Sequence, residues 1–137
     1  MREAPDAALV VLLDPELSAD DEAALAGASG AVVLMGTVAA DSFRGAELVL
    51  PVTNMAEENG TYVNRDRRLQ RFAQAKSPPG MARPAWWIAG EVLAGPGPSA
   101  SAPSTATEAF ELLGERWPAF AGLSHADLGY TGRVLAG

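Results

Sequence analysis

The sequence predicts an α/β fold, with a small three-stranded parallel sheet and flanking helices, followed by a hairpin or loop and C-terminal helices. Three almost unbroken apolar runs occur up to Pro51. Such runs are typical of strands that are buried on both faces in a parallel sheet. A segment with the features of a helix separates the first two runs. Strand, helix and strand in this order predict a βαβ unit with a right-handed crossover.

The first run, AALVVLLDP, predicts a strand that is stopped by Asp14 and the proline after it. The segment SADDEAALAGASG predicts a helix, because Ser18 and Asp21 have the spacing of a capping box. The acidic residues at its start also favour the positive end of a helix. Gly27 or Gly30 can end this helix, since glycine is the usual residue after the last turn.

The second run is AVVLMG and the third is AELVLP, which Pro51 should close because proline donates no ladder hydrogen bond. The segments TYVN and RRLQRF then predict a hairpin. KSPPGMARP predicts a loop, because its prolines and glycine exclude regular structure. After Pro84, AWWIAGEVLAG predicts a helix with Ile88, Val92 and Leu93 on one side.

The stretch GPGPSASAPS predicts a flexible linker. Thr105 and Glu108 form a second capping-box pattern, which opens the amphipathic segment ATEAFELLGERW. We expect the tail to form a short helix plus coil, docked by Phe120, Leu123 and Leu128. The predicted domains are an α/β domain with a long loop at 1–94, the linker at 95–104 and a C-terminal helix and tail at 105–137.

The composition limits the chemistry of the chain. Its formal net charge of −7 over 137 residues argues against nucleic acid as a partner. Cysteine is absent from the sequence, which excludes disulfides, thiolate metal sites, cysteine-held iron–sulfur clusters and cysteine nucleophiles within this chain. His125 is the only histidine, so a serine hydrolase would have one possible base.

No apolar run approaches the roughly 20 residues that span a bilayer. The N-terminus has an early arginine, but it also contains Glu3 and Asp6 and lacks the pattern of a signal peptide. We therefore expect no direct membrane insertion. The expected location is cytoplasmic, at the inner face of the membrane if the chain is part of a complex there.

The densest polar pattern lies between Glu57 and Arg68. One interpretation is that Glu57 and an arginine orient an anionic ligand. The alternative is that Glu57 pairs with Arg68 and ties a long loop to the sheet, and we favour this pairing because arginine binds carboxylates in a bidentate geometry. An RNA-binding interpretation would use Tyr62 and Phe72 for stacking beside the arginine cluster, but the net charge argues against it.

His125 could act as a base beside Ser124 and Asp127 in a hydrolase. Neighbouring residues rarely form a catalytic triad, because its members must converge from different directions. We therefore predict that His125 is a surface or helix-cap residue. Trp86 and Trp87 are interpreted as packing anchors rather than as a platform for a ligand.

The ends of the first two predicted strands meet at one edge of the sheet, which is the edge where open α/β sheets bind ligands. Asp14 follows the first strand and Thr37 follows the second, so these two residues are the candidates for cofactor binding. The sequence shows neither a GxGxxG fingerprint nor a Walker A loop there. We identify no catalytic residue and no metal ligand.

The run AELVLPVTNMAEENGTYVNRDRRLQRFAQAKSPPGMARPAWWI resembles the molybdopterin oxidoreductase superfamily, over about a third of the chain. Members typically show an ADVVLP strand, an acid before a DGT turn, a TN pair, an arginine–glutamine pair and a PPGEARPDW segment. The corresponding residues here are 46–51, Glu57, Gly60 with Thr61, Asn64, Arg68 with Gln70, and 78–86.

Two branches of this superfamily are candidates. ARPAWWI and the tail WPAFAGLSHADLGYTG resemble the large iron–sulfur subunit of bacterial NADH–quinone oxidoreductase, the respiratory complex I. RDRRLQ resembles formate-dehydrogenase-like enzymes instead. We favour the complex I branch, because the tail agrees with it and the barrel domain of the molybdenum enzymes does not follow.

The resemblance implies that the chain is a C-terminal piece of a larger oxidoreductase subunit, whose remainder and sister subunits would be its partners. The parent would carry iron–sulfur clusters and, in the formate-dehydrogenase-like branch, molybdopterin guanine dinucleotide. For this chain we expect a structural, non-catalytic role and no cofactor of its own. The alternative is that it retains part of a pterin-dinucleotide site near Asp14 and Thr37.

Overall fold

The computed structural model describes residues 7–13, 18–37, 45–96 and 101–135. The chain divides into two compact units. The first, here called the parallel unit, consists of Met1–Thr53 with Pro79–Ala85. The second, called the antiparallel unit, consists of Asn54–Pro78 with Trp86–Gly137. The predicted domain boundaries at 94 and 104 stay a prediction, and residues 97–100 of the predicted linker lie outside the described residues.

The parallel unit contains the three-stranded parallel sheet that the sequence predicts. Its strands follow one another in the order β1-β2-β3, and each pair is parallel. The register places Leu12 beside Leu34, and Leu34 beside Val49. The elements are β1 (Leu9–Leu13), α1 (Ala19–Ala26), β2 (Ala31–Gly36) and β3 (Leu48–Pro51).

Helix α1 begins at the predicted capping box. The amide of Asp21 donates to Oγ of Ser18 at 3.2 Å, and the amide of Ser18 donates to Oδ2 of Asp21 at 3.2 Å. The hydrogen bond from the Ser18 hydroxyl, followed by the one from its amide, lowers the pKa of Asp21. Gly27 is the residue that ends the helix, so the first of the two predicted stops is the one used.

The core of the parallel unit lies on one face of the sheet. Leu25 of α1 packs there against Leu12, Val32 and Leu34. The opposite face carries Leu9, Val11, Leu13 and Leu48, and each of these is about half exposed. The expectation that β1 is buried on both faces is therefore wrong within the described chain. The physical reason is that one βαβ unit supplies a helix to one face of its sheet.

The segment Pro79–Ala85 returns to the end of β3. The amide of Arg83 donates to the carbonyl of Pro51 at 3.2 Å, and the amide of Thr53 donates to the carbonyl of Arg83 at 3.1 Å. Val52 continues the sheet by donating to the carbonyl of Gly36 at 3.0 Å. The predicted loop KSPPGMARP is therefore irregular, as expected, but its far end is bonded to the strand that Pro51 closes.

The antiparallel unit contains the predicted hairpin and a third strand that the sequence did not indicate. Strand β5 pairs with β4 on one side and with the two-residue strand β6 on the other. A 3₁₀ turn, Pro118–Phe120, precedes the last helix. The elements are β4 (Gly60–Val63), β5 (Arg68–Phe72), α2 (Ala85–Ala94, whose first residue belongs to the parallel unit), α3 (Ala106–Arg116), α4 (His125–Leu128) and β6 (Arg133–Val134).

The core of the antiparallel unit is formed by Leu69, Phe110 and Leu128, each at most 3% exposed. Phe120 and Leu123 pack against these three residues, which confirms their predicted role as docking residues of the tail. The core therefore joins β5, α3 and α4, although these elements are far apart in the sequence.

Helix α3 begins at Thr105, as predicted, but the capping box is only half formed. The amide of Glu108 donates to Oγ1 of Thr105 at 3.2 Å. The carboxylate of Glu108 accepts at 2.7 Å from the amide of Ser104, the residue before the cap, instead of from the amide of Thr105. Within the described ranges, no helix is long and apolar enough to cross a bilayer.

Candidate functional site

The first candidate site is the edge of the parallel sheet where its strands end. Leu13 of β1 pairs with Met35 of β2, and Gly36 pairs with Pro51 of β3, so the three strands reach this edge together. Thr37 follows β2 directly and is exposed. Asp14, the other candidate, lies outside the described residues. The structure thus places one of the two predicted residues at the expected edge.

The second candidate site is the polar segment around Glu57, a carboxylate that is only 5% exposed. Its Oε1 lies 2.9 Å from Nζ of Lys76, and its Oε2 accepts from the amide of Asn54 at 3.2 Å. The hydrogen bond from Lys76, followed by the one from Asn54, lowers the pKa of Glu57. Buried carboxylates need such partners to remain ionised.

The predicted pairing of Glu57 with Arg68 is therefore wrong. Lys76, the only lysine of the sequence, takes that place. Arg68 instead donates from Nη1 to the carbonyl of Thr131 at 3.1 Å, which ties the hairpin to the turn before β6. The general interpretation, in which Glu57 holds a loop, agrees with the observed bonds. Both partners of Glu57, Lys76 and Asn54, belong to the antiparallel unit, so Glu57 does not tie the loop to the parallel sheet as predicted.

Backbone groups satisfy most of the polar side chains in this segment. Oδ1 of Asn54 accepts from the amide of Ala56 at 2.9 Å, and Oδ1 of Asn59 accepts from the amide of Gln74 at 3.1 Å. The carbonyl of Ala56 accepts from the amide of Lys76 at 2.9 Å. Asparagine side chains commonly hold turns in this way. The polar residues of this segment are therefore used to shape its backbone.

The hairpin turn is built around Asn64. Its Oδ1 accepts from the amides of Asp66 and Arg68, each at 2.9 Å, and its carbonyl accepts from the amide of Arg67 at 3.0 Å. Arg67 lies in the left-handed region, with a φ of 58°. Such a backbone conformation is costly for a residue other than glycine, so the three bonds of Asn64 must hold it.

Tyr62 and Phe72, the stacking residues of the RNA-binding alternative, contact each other across β4 and β5. Their ring centroids are 6.3 Å apart, and the planes are tilted by 48°. The hydroxyl of Tyr62 also donates to Oε1 of Gln70 at 3.0 Å. Gly60 lets the Phe72 ring lie over the start of β4, because a Cβ atom at residue 60 would lie 2.6 Å from that ring. The two rings therefore form a cross-strand packing pair.

Ser124, His125 and Asp127 do not form a catalytic triad. Oγ of Ser124 donates to Oδ2 of Asp127 at 2.6 Å in the capping box of α4. The ring of His125 is directed elsewhere, because its Nδ1 lies 2.9 Å from Oγ1 of Thr107 and the ring stacks on Phe110 with centroids 5.2 Å apart. A base that does not contact the serine cannot activate it. The hydrolase alternative is therefore wrong.

The prediction that His125 is a surface or cap residue is also wrong, since His125 is buried and only 6% exposed. Its Nε2 is buried and has no hydrogen-bond partner within the described part of the chain. Burial lowers the pKa of His125, the positive charge of Arg71 lowers it further, and the negative charge of Glu111 acts in the opposite direction. His125 is thus a neutral core residue near pH 7. The apolar residues at a helical spacing from His125 could not reveal from the sequence that its side chain is buried.

Within the described residues, no three or more histidine, aspartate or glutamate side chains lie together in a group that could hold a metal ion. The isolated groups with altered pKa values all have a structural partner. For Glu108 the partner is Ser104, and for Asp127 it is Ser124, whose hydrogen bonds lower the pKa of each carboxyl group.

A family model described as molybdopterin oxidoreductase matches residues 3–94. The alpha subunit of the F420-dependent formate dehydrogenase 2 of Methanococcus maripaludis is 37% identical over 89 residues, which cover 64% of this chain and 13% of that protein. A putative formate dehydrogenase of Bacillus subtilis, YrhE, is 49% identical over 47 residues, 34% of this chain and 5% of that protein.

The iodate reductase subunit IdrA of a Pseudomonas species is 42% identical over 43 residues, which cover 31% of this chain and 5% of that protein. The chain thus spans about an eighth of the first relative's length and less of the others. The two formate dehydrogenases agree with the formate-dehydrogenase-like branch. The preference for complex I, which depended on the tail, receives no support from them.

Proposed function

Because this chain belongs to the molybdopterin oxidoreductase family, we propose that it is a non-catalytic part of a formate-dehydrogenase-like molybdenum oxidoreductase. In this role the parallel unit holds part of a molybdopterin guanine dinucleotide. The antiparallel unit has an architectural role in this proposal. The similarity to two formate dehydrogenases supports the choice of this branch.

The common edge at which β1, β2 and β3 end is the observation that supports nucleotide binding most directly. In open parallel sheets, ligands bind in the crevice beyond the carboxyl ends of the strands. Leu13 and Gly36 are the last residues of two such strands, and Thr37 is exposed immediately after the second. This edge is also inside the part of the chain that the family model matches.

The residue types at this edge suit a nucleotide. The hydroxyl of Thr37 can donate to a phosphate oxygen or accept from a guanine N–H. In the sequence Asp14 directly follows β1, and in many dinucleotide sites an acidic residue that follows a strand accepts from a ribose hydroxyl. When bound, the cofactor would supply the redox chemistry, while this chain would supply position and orientation.

The redox groups of the enzyme would be held by residues outside this chain. This sequence contains no cysteine, and its one histidine is buried against Phe110 and bonded to Thr107. Glu57, the most buried carboxylate of the polar segment, is occupied by Lys76. None of these groups is available to ligate a metal or to transfer a proton at an exposed site.

The proposal is tested by adding GMP to the ¹⁵N-labelled chain and following backbone amide chemical shifts. We expect saturable shifts at Thr37 and at the last residues of β1 and β2, with smaller shifts for AMP at the same concentration. Thr37→Val should weaken binding of GMP, because it removes a hydroxyl without changing the shape of the side chain much.

Thr131→Val is the matched control, since Thr131 is an exposed threonine in the antiparallel unit and only its backbone carbonyl is bonded to Arg68. It should bind GMP like the unchanged chain. Amides at the strand ends that stay silent up to millimolar GMP would remove the nucleotide-binding role. A purely architectural role within the family would then be the conclusion.

A further inference from the structure

Helix α2 has an unusual surface for a helix of a small unit. Its sequence, AWWIAGEVLA, contains Glu91 as the only charged residue, yet none of its residues is buried. Val92 is 64% exposed and Leu93 is 86% exposed. Helices that are apolar on all sides normally lie in the interior of a larger protein. The exposed side of α2 therefore points to a surface that another element covers.

An open groove runs along the side of α2 that carries Leu93, toward α3, and has a volume of about 540 Å³. Its walls are mainly aromatic and aliphatic, from Trp86 and Leu93 on α2, Leu112 and Leu113 on α3, and Trp117 at the end of α3. Pro103 lies close against α2 at Gly90. A Cβ atom at residue 90 would lie 2.6 Å from Cδ of Pro103, so glycine permits this close approach. All of these residues belong to the antiparallel unit.

A stripe of acidic residues on α3 lies beside the groove, and one of them, Glu115, lines the groove itself. Glu108, Glu111 and Glu115 line a second, smaller depression, which shares Ser101, Pro103, Leu112 and Glu115 with the groove. Spacings of three and four residues place these carboxylates along one stripe of the helix. Glu108 is bonded to Ser104. Glu111 and Glu115 are exposed and negatively charged beside an apolar floor.

We propose that this groove is a docking surface for a basic amphipathic α-helix of another polypeptide. The apolar side of the helix would pack on Leu93, Leu112 and Trp117. Its lysine or arginine side chains would face Glu111 and Glu115. Helices that bind in apolar grooves use this division between an apolar side for affinity and charges at the rim for orientation.

The charges argue against two other occupants. A second copy of the chain that docked by the same surface would bring its own acidic stripe toward Glu111 and Glu115, and like charges at an interface are unfavourable. The acidic stripe would likewise repel an anionic lipid surface. Arg116, which also lines the groove, is a single positive charge next to Glu115 and does not reverse the sign of the stripe.

The test uses two synthetic peptides of about 18 residues, long enough to form a helix on binding. Both have leucines on one helical side, and one carries lysines and the other glutamates on the opposite side. The three tryptophans of the chain are Trp86, Trp87 and Trp117, and two of these line the groove. Binding is therefore followed by tryptophan emission, which should shift to shorter wavelength when the groove is covered.

We expect the lysine peptide to bind at least about tenfold more tightly than the glutamate peptide at low salt, with the difference decreasing as salt is added. Leu93→Glu should abolish the emission shift. The double variant Glu111→Lys and Glu115→Lys should reverse the preference between the two peptides. Circular dichroism of each variant checks that the chain remains folded.

Met81→Glu is the matched control, because Met81 is 84% exposed, close to the 86% of Leu93, and lies in the parallel unit. It should bind the lysine peptide like the unchanged chain. Equal binding of both peptides, or equal loss in Met81→Glu and Leu93→Glu, would overturn the proposal. Self-association of the chain that Leu93→Glu removes would also overturn it, in favour of a second copy as the occupant.

Discussion

The parallel unit is held together by apolar side chains, whereas the antiparallel unit depends to a large degree on polar side chains that bond the backbone. In the parallel unit Leu34 lies at the centre of a cluster formed by the sheet and α1. In the antiparallel unit Asn54, Asn59 and Asn64 each accept backbone hydrogen bonds. The apolar core there consists of three buried residues, Leu69, Phe110 and Leu128.

This difference shows how a dense polar segment should be interpreted. In the parallel unit the strands have four to six residues and are apolar along their whole length, and this pattern specifies the fold. In the antiparallel unit the strands have two to five residues, and the loops between them must be shaped by specific hydrogen bonds. Acids and asparagines therefore accumulate there because they bond backbone amides, and Glu57, which also pairs with Lys76, is the clearest case.

The largest effects are expected from truncating the two cores. Leu34→Ala and Leu69→Ala each remove a side chain that is 1% exposed. Each should lower the free energy of unfolding by about 2–5 kcal/mol, because lost burial and a residual cavity add together. Chemical denaturation measures both, and tryptophan emission follows the antiparallel unit, which contains all three tryptophans.

Leu93→Ala is the control for both core variants, since Leu93 is largely exposed. It should change the free energy of unfolding by less than about 0.5 kcal/mol. Should Leu34→Ala be no more destabilising than Leu93→Ala, the parallel unit would not depend on its apolar core, and the comparison of the two units would fail.

The next effect is expected at the hairpin turn of the antiparallel unit. Asn64→Ala leaves the amides of Asp66 and Arg68 without their acceptor. We expect a loss of about 1–3 kcal/mol, from two hydrogen bonds of about 0.5–1.5 kcal/mol each. Asn64→Asp retains an acceptor at the same position and should be much closer to the unchanged chain. Thermal unfolding followed by tryptophan emission distinguishes the two.

A smaller effect is expected at the N-cap of α1 in the parallel unit. Ser18→Ala removes the acceptor for the amide of Asp21. The free energy of unfolding should fall by about 1 kcal/mol, as for other helix N-caps. Ser18→Asn, which can cap a helix equally well, should restore the lost stability. Hydrogen exchange of the α1 amides is the measurement, and unchanged exchange in Ser18→Ala would contradict the role of the cap.

The mildest perturbation is a change of pH. Burial lowers the pKa of His125 in the folded chain, so the unfolded chain binds more protons below the ordinary histidine pKa of about 6.5. Stability contributed by the neutral ring is therefore complete above that pH, and it is lost as the pH falls toward the folded-state pKa. The unfolding free energy of the antiparallel unit should decrease over this window.

His125→Gln does not titrate and should show a flatter profile between pH 7 and the range where carboxyl groups protonate. The carboxyl groups act separately, because hydrogen bonds lower the pKa values of Glu57 and Asp127 below their ordinary 4.5 and 3.8. An NMR titration of His125 with a midpoint at or above the ordinary value would show that its burial does not disfavour the charged ring.

Features that depend on neighbouring residues could be predicted from the sequence. The capping box of α1 needs only residues three apart, and the three parallel strands need only continuous apolar runs. The hairpin also follows from adjacent segments. Of the candidate site, the sequence could place Thr37 at the end of β2, because the carboxyl ends of parallel strands lie at one edge.

Features that depend on distant residues could not be predicted. Lys76 is 19 residues from Glu57, and a sequence with nine arginines offers many other partners for a buried carboxylate. Strand β6 has two residues and is defined only by its bonds to β5. The burial of His125 depends on Phe110 and Thr107 of another helix.

The sequence by itself determined the order of the elements from β1 to α3, the N-caps of α1 and α3, the parallel sheet and the absence of cysteine chemistry, since each depends on composition or on short-range patterns. Only the tertiary structure decided which cation neutralises Glu57, which way the ring of His125 points and which apolar side chains of β1 and α2 stay exposed. These outcomes depend on contacts between segments far apart in the chain, where many pairings have similar local energies and packing selects one.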